Sequence, residues 1–134
     1  SPDRGEKKDI YQGWRLARQI GRLDIGQCIV ISNGTVLAVE AIDGTDATIK
    51  RGGALAHKSG PVVVKLSKPG QDLRFDLPSS GVGTIRTMVE SGARVLALEA
   101  GRSIAFDRED MVKLANENKI SILGLTDEDI PPED

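Results

Sequence analysis

The sequence predicts an α/β fold: a single compact domain with a mixed sheet, one Asn-Gly β-hairpin and helices packed on the sheet. Three observations lead there. Stretches with helical spacing alternate with short apolar runs rich in β-branched residues. Two of those runs, Pro61–Leu66 and Arg94–Ala100, are apolar almost throughout, as strands buried on both faces are. Asn33-Gly34 separates two further β-rich runs, and a type I′ turn selects this pair because it needs positive φ at both central positions.

The elements follow in order. Residues 1–8 are polar and read as a disordered N-terminal segment. From Asp9 as cap to about Gly21, Ile10, Trp14, Leu16, Ala17 and Ile20 recur at helical spacing, and Trp14 is expected in the core. Gln27–Ser32 and Thr35–Ile42 are the hairpin strands. Asp43-Gly44-Thr45-Asp46 opens a short helix to about Leu55, weakened by Gly52-Gly53. Pro61–Leu66 is a buried strand, and an extended segment follows it. A helix through Ile85, Met88 and Val89 stops at Gly92. After the strand Arg94–Ala100, Gly101-Arg102 turns into Ser103–Phe106, and Asp107 caps the helix Arg108–Asn118. Ile120–Leu125 is the last strand, so the domain runs from 9 to 126, and the acidic tail 127–134 is expected to fray.

Composition narrows the function classes. A chain of 134 residues suits one domain, and 39% hydrophobic with 28% charged residues suits a folded one. Net charge is −2 with both signs mixed, and aromatics are 3%. Neither a basic stripe nor a stacking platform is present, which argues against a nucleic-acid partner. One Cys and one His exclude an intrachain disulfide and a Cys/His zinc site. Cys28, in Cys-Ile-Val-Ile, reads as a buried inert thiol in a reducing compartment, and His57 as a surface loop residue. No apolar run approaches the roughly 20 residues that cross a bilayer, and no signal-peptide pattern is present. The start Ser1-Pro2-Asp3, without Met, reads as a piece of a longer protein.

Residues 65–78 carry the strongest chemical signal. From Asp72 to Leu77 polar and apolar residues alternate, so Leu73, Phe75 and Leu77 share one face and Asp72, Arg74 and Asp76 the other. Carboxylates mixed with cations on a rigid support suit a phosphate or metal site, and equally a solvated edge strand. Lys65, Lys68 and Gln71 precede them, Lys65 at the end of a strand where open α/β sheets bind ligands. A snorkelling lysine is the alternative.

Four further groups are weaker. Glu40 is a carboxylate in an apolar strand, followed by Thr45 and Asp46 at a helix start, where N–H donors face an anion or a side chain simply caps. Ser79, Ser80, Gly81, Gly83 and Thr84 form a small-residue helix start, either a phosphate approach or a flexible loop. Glu99 and Arg102 form either a structural pair or part of the same crevice. Val36–Ala41 and Val95–Ala100 differ at one position, and both end with a glutamate near a turn.

Taken in order, these motifs resemble one family. Leu23-Asp24-Ile25-Gly26-Gln27, Val36–Ala47, Lys68–Pro78 and Glu99-Ala100-Gly101-Arg102 are similar to the C-terminal domain of the LpxI family, the UDP-2,3-diacylglucosamine pyrophosphatases. The resemblance implies a cytoplasmic, Mg²⁺-dependent hydrolase of lipid A biosynthesis, with at most peripheral membrane contact. It implies cleavage of UDP-2,3-diacylglucosamine to UMP and lipid X. Asp76, within Arg-x-Asp-Leu-Pro, matches the catalytic aspartate. Lys65, Lys68, Gln71, Arg74, Thr45, Thr84 and Arg102 are expected on the substrate, and Asp76, Asp46 and Glu40 on the metal. Family members carry an N-terminal domain that this chain lacks, so the isolated domain is expected to be weakly active or inactive and to expose a former interface that favours a homo-oligomer. A non-catalytic module that binds a nucleotide or phosphate ligand and keeps the fold is the alternative.

Overall fold

A computed structural model describes residues 1–56, 60–68, 81–100 and 108–133. The described elements are α1 (Arg4–Arg22), β1 (Cys28–Ser32), β2 (Thr35–Val39), α2 (Gly44–Leu55), β3 (Val62–Lys65), α3 (Gly81–Ser91), β4 (Val95–Glu99), α4 (Arg108–Glu117) and β5 (Ser121–Leu125), then a 3₁₀ turn, Asp127–Asp129. The five strands form one sheet in the order β2-β1-β3-β4-β5. β1 is antiparallel to both β2 and β3, whereas β3, β4 and β5 are parallel. The sheet is therefore mixed, as the sequence predicts.

Strand alternation divides the core into two layers. Ile29, Ile31, Val62, Val64, Val95 and Ala97 pack with Ile10, Trp14 and Ala17 of α1. Cys28, Val30, Val63 and Leu96 pack on the other face with Ile49 of α2, Ile85 and Met88 of α3, and Met111 and Ala115 of α4. Side chains of successive strand residues point to opposite faces, so runs such as Val62-Val63-Val64 feed both layers. Trp14 is 2% exposed. α2 lies close on β1, because a Cβ on Gly52 would stand 2.4 Å from Val30 Cγ1. Gly52 therefore lowers helix propensity yet permits the approach.

Asn33 and Gly34 join β1 to β2 with φ of 50° and 79°, and Ser32 pairs with Thr35. The turn is held from below. Asn33 N–H and Gly34 N–H donate to the two oxygens of Asp9 at 2.9 and 2.8 Å. Asp9 is 5% exposed in the interior of α1.

That overturns two readings of the N-terminus. Asp9 is not the cap of α1. The helix starts at Arg4, and Asp3 caps it through a reciprocal box with Glu6. Residues 4–8 are thus helical, stabilised by that box. The C-terminal tail is also tied down at its start, since Asp127 accepts from Trp14 Nε1 and from an Arg18 guanidinium nitrogen, each at 2.8 Å.

Asp9→Ala leaves two turn N–H groups without their acceptor and should lower unfolding free energy by about 2–4 kcal/mol, read by urea denaturation. Asp9→Asn, which keeps one acceptor oxygen, should recover part of that loss.

Candidate active site

The sheet brings five chain segments to one edge. β3, β4 and β5 end there at Lys65, Glu99 and Leu125. β1 begins there, since Cys28 pairs with Lys65, and β2 ends there, since Val39 pairs with Ile29. α2 starts just after β2, and α3 runs back to the opposite edge before β4, so both helices present their N-termini to this carboxyl edge. Ligands of open α/β sheets bind in this position.

Two glutamates organise the edge. Glu40, just past β2, accepts from Gln27 N–H through one oxygen and from Thr45 Oγ through the other, both at 2.6 Å. Glu99, the last residue of β4, accepts from Ser67 N–H at 3.0 Å and from Arg18 at 2.8 Å. The two glutamates of the Val36–Ala41 and Val95–Ala100 echo thus do the same job. Each holds a backbone N–H where a neighbouring strand begins or has just ended. Leu66 N–H donates to Gln27 O at 2.9 Å and links the two halves of the rim.

The predicted residues separate into three groups. Glu40, Thr45, Asp46, Lys65 and Lys68 lie on or beside the carboxyl edge. Lys65 is half-buried at the end of β3, and Lys68 Nζ stands 3.5 Å from Asp24. Thr84 is in the first turn of α3 but buried, at 4% exposure. Asp76, Gln71, Arg74 and Arg102 lie outside the described residues, as do His57, Ser79, Ser80, Asp107 and the alternating segment 72–77.

Local chemistry differs from the sequence reading at α2. Neither Thr45 nor Asp46 caps it. Its N-cap is Asp43, whose side chain makes no capping bond and pairs with Arg51 instead. Thr45 turns its hydroxyl to Glu40. Among the described residues no three His, Cys, Asp or Glu side chains cluster as a metal site. Glu40 and exposed Asp46 supply hard carboxylate oxygens, the donor type Mg²⁺ takes, and each Glu40 oxygen keeps a second lone pair.

Cys28 lies beneath this edge. Burial pushes its thiol up to about 12, and the Glu40 charge adds to the shift. Such a shift favours the protonated, weakly nucleophilic thiol at neutral pH, in line with the apolar run around it. Asp127 is shifted the other way, since the hydrogen bonds from Trp14 and then Arg18 hold its carboxyl below the usual value of 3.8.

Sequence reasoning missed Arg18 and Asp127. Trp14 and Arg18 are one helical turn apart, and that spacing puts both on one face of α1. A cation in line with a buried tryptophan was the available signal.

The LpxI C-terminal domain model matches residues 1–123. The chain belongs to the LpxI C-terminal domain family. It is also 39% identical over 138 aligned positions to a UDP-2,3-diacylglucosamine pyrophosphatase LpxI of Caulobacter vibrioides. That alignment covers 98% of this chain and 49% of the relative, so the chain spans about half the length of the protein it matches.

Two measurements check this chemistry. Cys28 should resist a thiol reagent at neutral pH in the native protein and react fully in denaturant. Asp127 has a folded pKa below its unfolded value, so its contribution is present above the unfolded value near 3.8 and is lost as pH falls through the folded one. Stability measured in urea should therefore fall less steeply below about pH 4 in Asp127→Asn than in the native chain.

Proposed function

We propose that this chain is the C-terminal half of a UDP-2,3-diacylglucosamine pyrophosphatase, which hydrolyses its substrate to UMP and lipid X in lipid A biosynthesis. The observation that carries the reading is the match along 98% of the chain to a relative of that name. The carboxyl edge supports it, because Lys65, Lys68, the start of α2 and the start of α3 meet where an α/β sheet takes a phosphate ligand.

In this reading the cations Lys65, Lys68, Arg74 and Arg102, with Gln71, bind the diphosphate and offset its charge. Thr45, in the first turn of α2, would contact it, and Thr84, buried in the first turn of α3, would support the helix start behind it. Asp76 orients the attacking water or shares in holding a metal. Water adds to one phosphorus, the bridging P–O bond breaks, and the other phosphate leaves with the electron pair. Asp76, Asp46 and Glu40 would hold Mg²⁺, which when bound supplies Lewis-acid stabilisation of phosphate charge. Glu40 would do so through lone pairs that Gln27 N–H and Thr45 Oγ leave.

The chain covers 49% of the relative's length, and this proposal gives further substrate contacts to an N-terminal domain of a full-length parent. Among the described residues no helix is long and apolar enough to cross a membrane. A cytoplasmic enzyme that meets its lipid substrate at the membrane surface fits that. Leu23, Ile25 and Ile42 are exposed near the carboxyl edge, at 71%, 47% and 105%, and suit either acyl chains or a covering domain.

The test is hydrolysis of UDP-2,3-diacylglucosamine with Mg²⁺ by the full-length parent. Asp76→Ala should lower kcat by about 10²–10⁴-fold with the fold intact by circular dichroism. Lys68→Ala should chiefly raise KM. A folded, metal-supplied parent without turnover would reduce the likeness to fold, and retained binding of the substrate would then mark a non-catalytic binding module.

A further inference from the structure

We propose that Glu99 and Arg18 are positioning residues: they fix the path of the chain at Ser67 and thereby the placement of Lys68 against a substrate diphosphate. The inference rests on the pyrophosphatase reading above.

Two successive N–H groups hold the chain as it leaves β3. β3 ends at Lys65. Leu66 N–H donates to Gln27 O, toward β1, at 2.9 Å. Ser67 N–H donates to Glu99, on β4, at 3.0 Å. Consecutive backbone groups anchored on opposite neighbours set both the direction and the twist of the chain as it leaves the sheet. Lys68 is the next residue.

Arg18 in turn holds Glu99. Its other oxygen takes the Arg18 guanidinium at 2.8 Å, and the Glu99 side chain is only 12% exposed. Water screens that pair weakly, so the bond is strong and the carboxylate stays put. Arg18 reaches across from α1 and is itself tied to Asp127, which Trp14 also holds. The anchor of Ser67 is thus connected to the buried side of α1.

Among the described residues Lys68 has little local restraint of comparable strength. Its ammonium meets Asp24 at 3.5 Å, with side-chain exposures of 55% and 79%. An exposed pair of this kind contributes little. The position of the cation therefore depends on the backbone beneath it, which Glu99 sets.

The experiment is a double-mutant cycle in the full-length parent, with steady-state hydrolysis of UDP-2,3-diacylglucosamine and thermal denaturation for each protein. Glu99→Ala should raise KM by about 10-fold or more with a smaller change in kcat. Glu99→Gln keeps an acceptor for Ser67 N–H and should recover much of the loss. In a Lys68→Ala background, Glu99→Ala should change KM by about 2-fold at most, because the group it places is gone. Should Glu99→Ala not fold, Arg18→Gln carries the same cycle, with a smaller KM effect that again vanishes without Lys68. Effects that multiply across the cycle, or a lowered melting temperature with unchanged KM, would overturn the proposal while leaving the enzyme reading intact. A folded wild-type parent without turnover removes both.

Discussion

The carboxyl edge of the sheet is held together by two glutamates that bond backbone. Where strands end and the chain leaves for a loop, N–H groups lose their ladder partners. Left unpaired in a half-buried setting, each would cost about 1–3 kcal/mol. Glu40 meets Gln27 N–H and Glu99 meets Ser67 N–H, and Leu66 N–H to Gln27 O closes the gap between them. The result is a hydrogen-bonded rim from α2, through β2, β1, β3 and β4, to α1. Of the candidate residues that the structure describes, Thr45, Asp46, Lys65 and Lys68 lie on or beside this rim.

The rim exists because the sheet is closed on both faces. α1 covers one layer and α2, α3 and α4 cover the other. Among the described residues, packed side chains fill both faces, and the ends of the strands present polar groups. Close approach makes the layers tight. Gly52 lets α2 down onto Val30, and Gly13 lets α1 down onto Val64, whose Cγ2 would lie 2.9 Å from an added Cβ. Polar side chains consequently collect at the edges.

Several carboxylates of this chain have structural work. Asp9 holds the Asn33-Gly34 turn, Glu40 and Glu99 hold strand ends, and Asp127 joins Trp14 to Arg18. Asp46, exposed at the start of α2, is differently placed. A carboxylate whose oxygens already accept short hydrogen bonds from the protein is a rigid neighbour for a ligand. One that is exposed can still reorient.

The sequence by itself determined the class of fold and the family. Asn33-Gly34 demanded positive φ at both positions, and the runs Pro61–Leu66 and Arg94–Ala100 are mostly apolar on both faces, so hairpin and buried strands followed from local chemistry alone. The motif order pointed to the LpxI C-terminal domain, which matches residues 1–123. Tertiary structure decided what individual charges do. Asp9 reads as a helix cap because a carboxylate before an apolar run usually is one, yet its partners are 24 and 25 residues away. Glu40 needs a partner because it is an acidic residue in an apolar strand, and the structure supplies the Thr45 hydroxyl and a backbone N–H 13 residues earlier, the second of which no spacing rule marks. Arg18 and Asp127 lie 109 residues apart and meet only because α1 and the end of β5 share one edge of the sheet. Periodicity is a local property of the chain, whereas the partner of a charge depends on which distant segments the packed layers bring together.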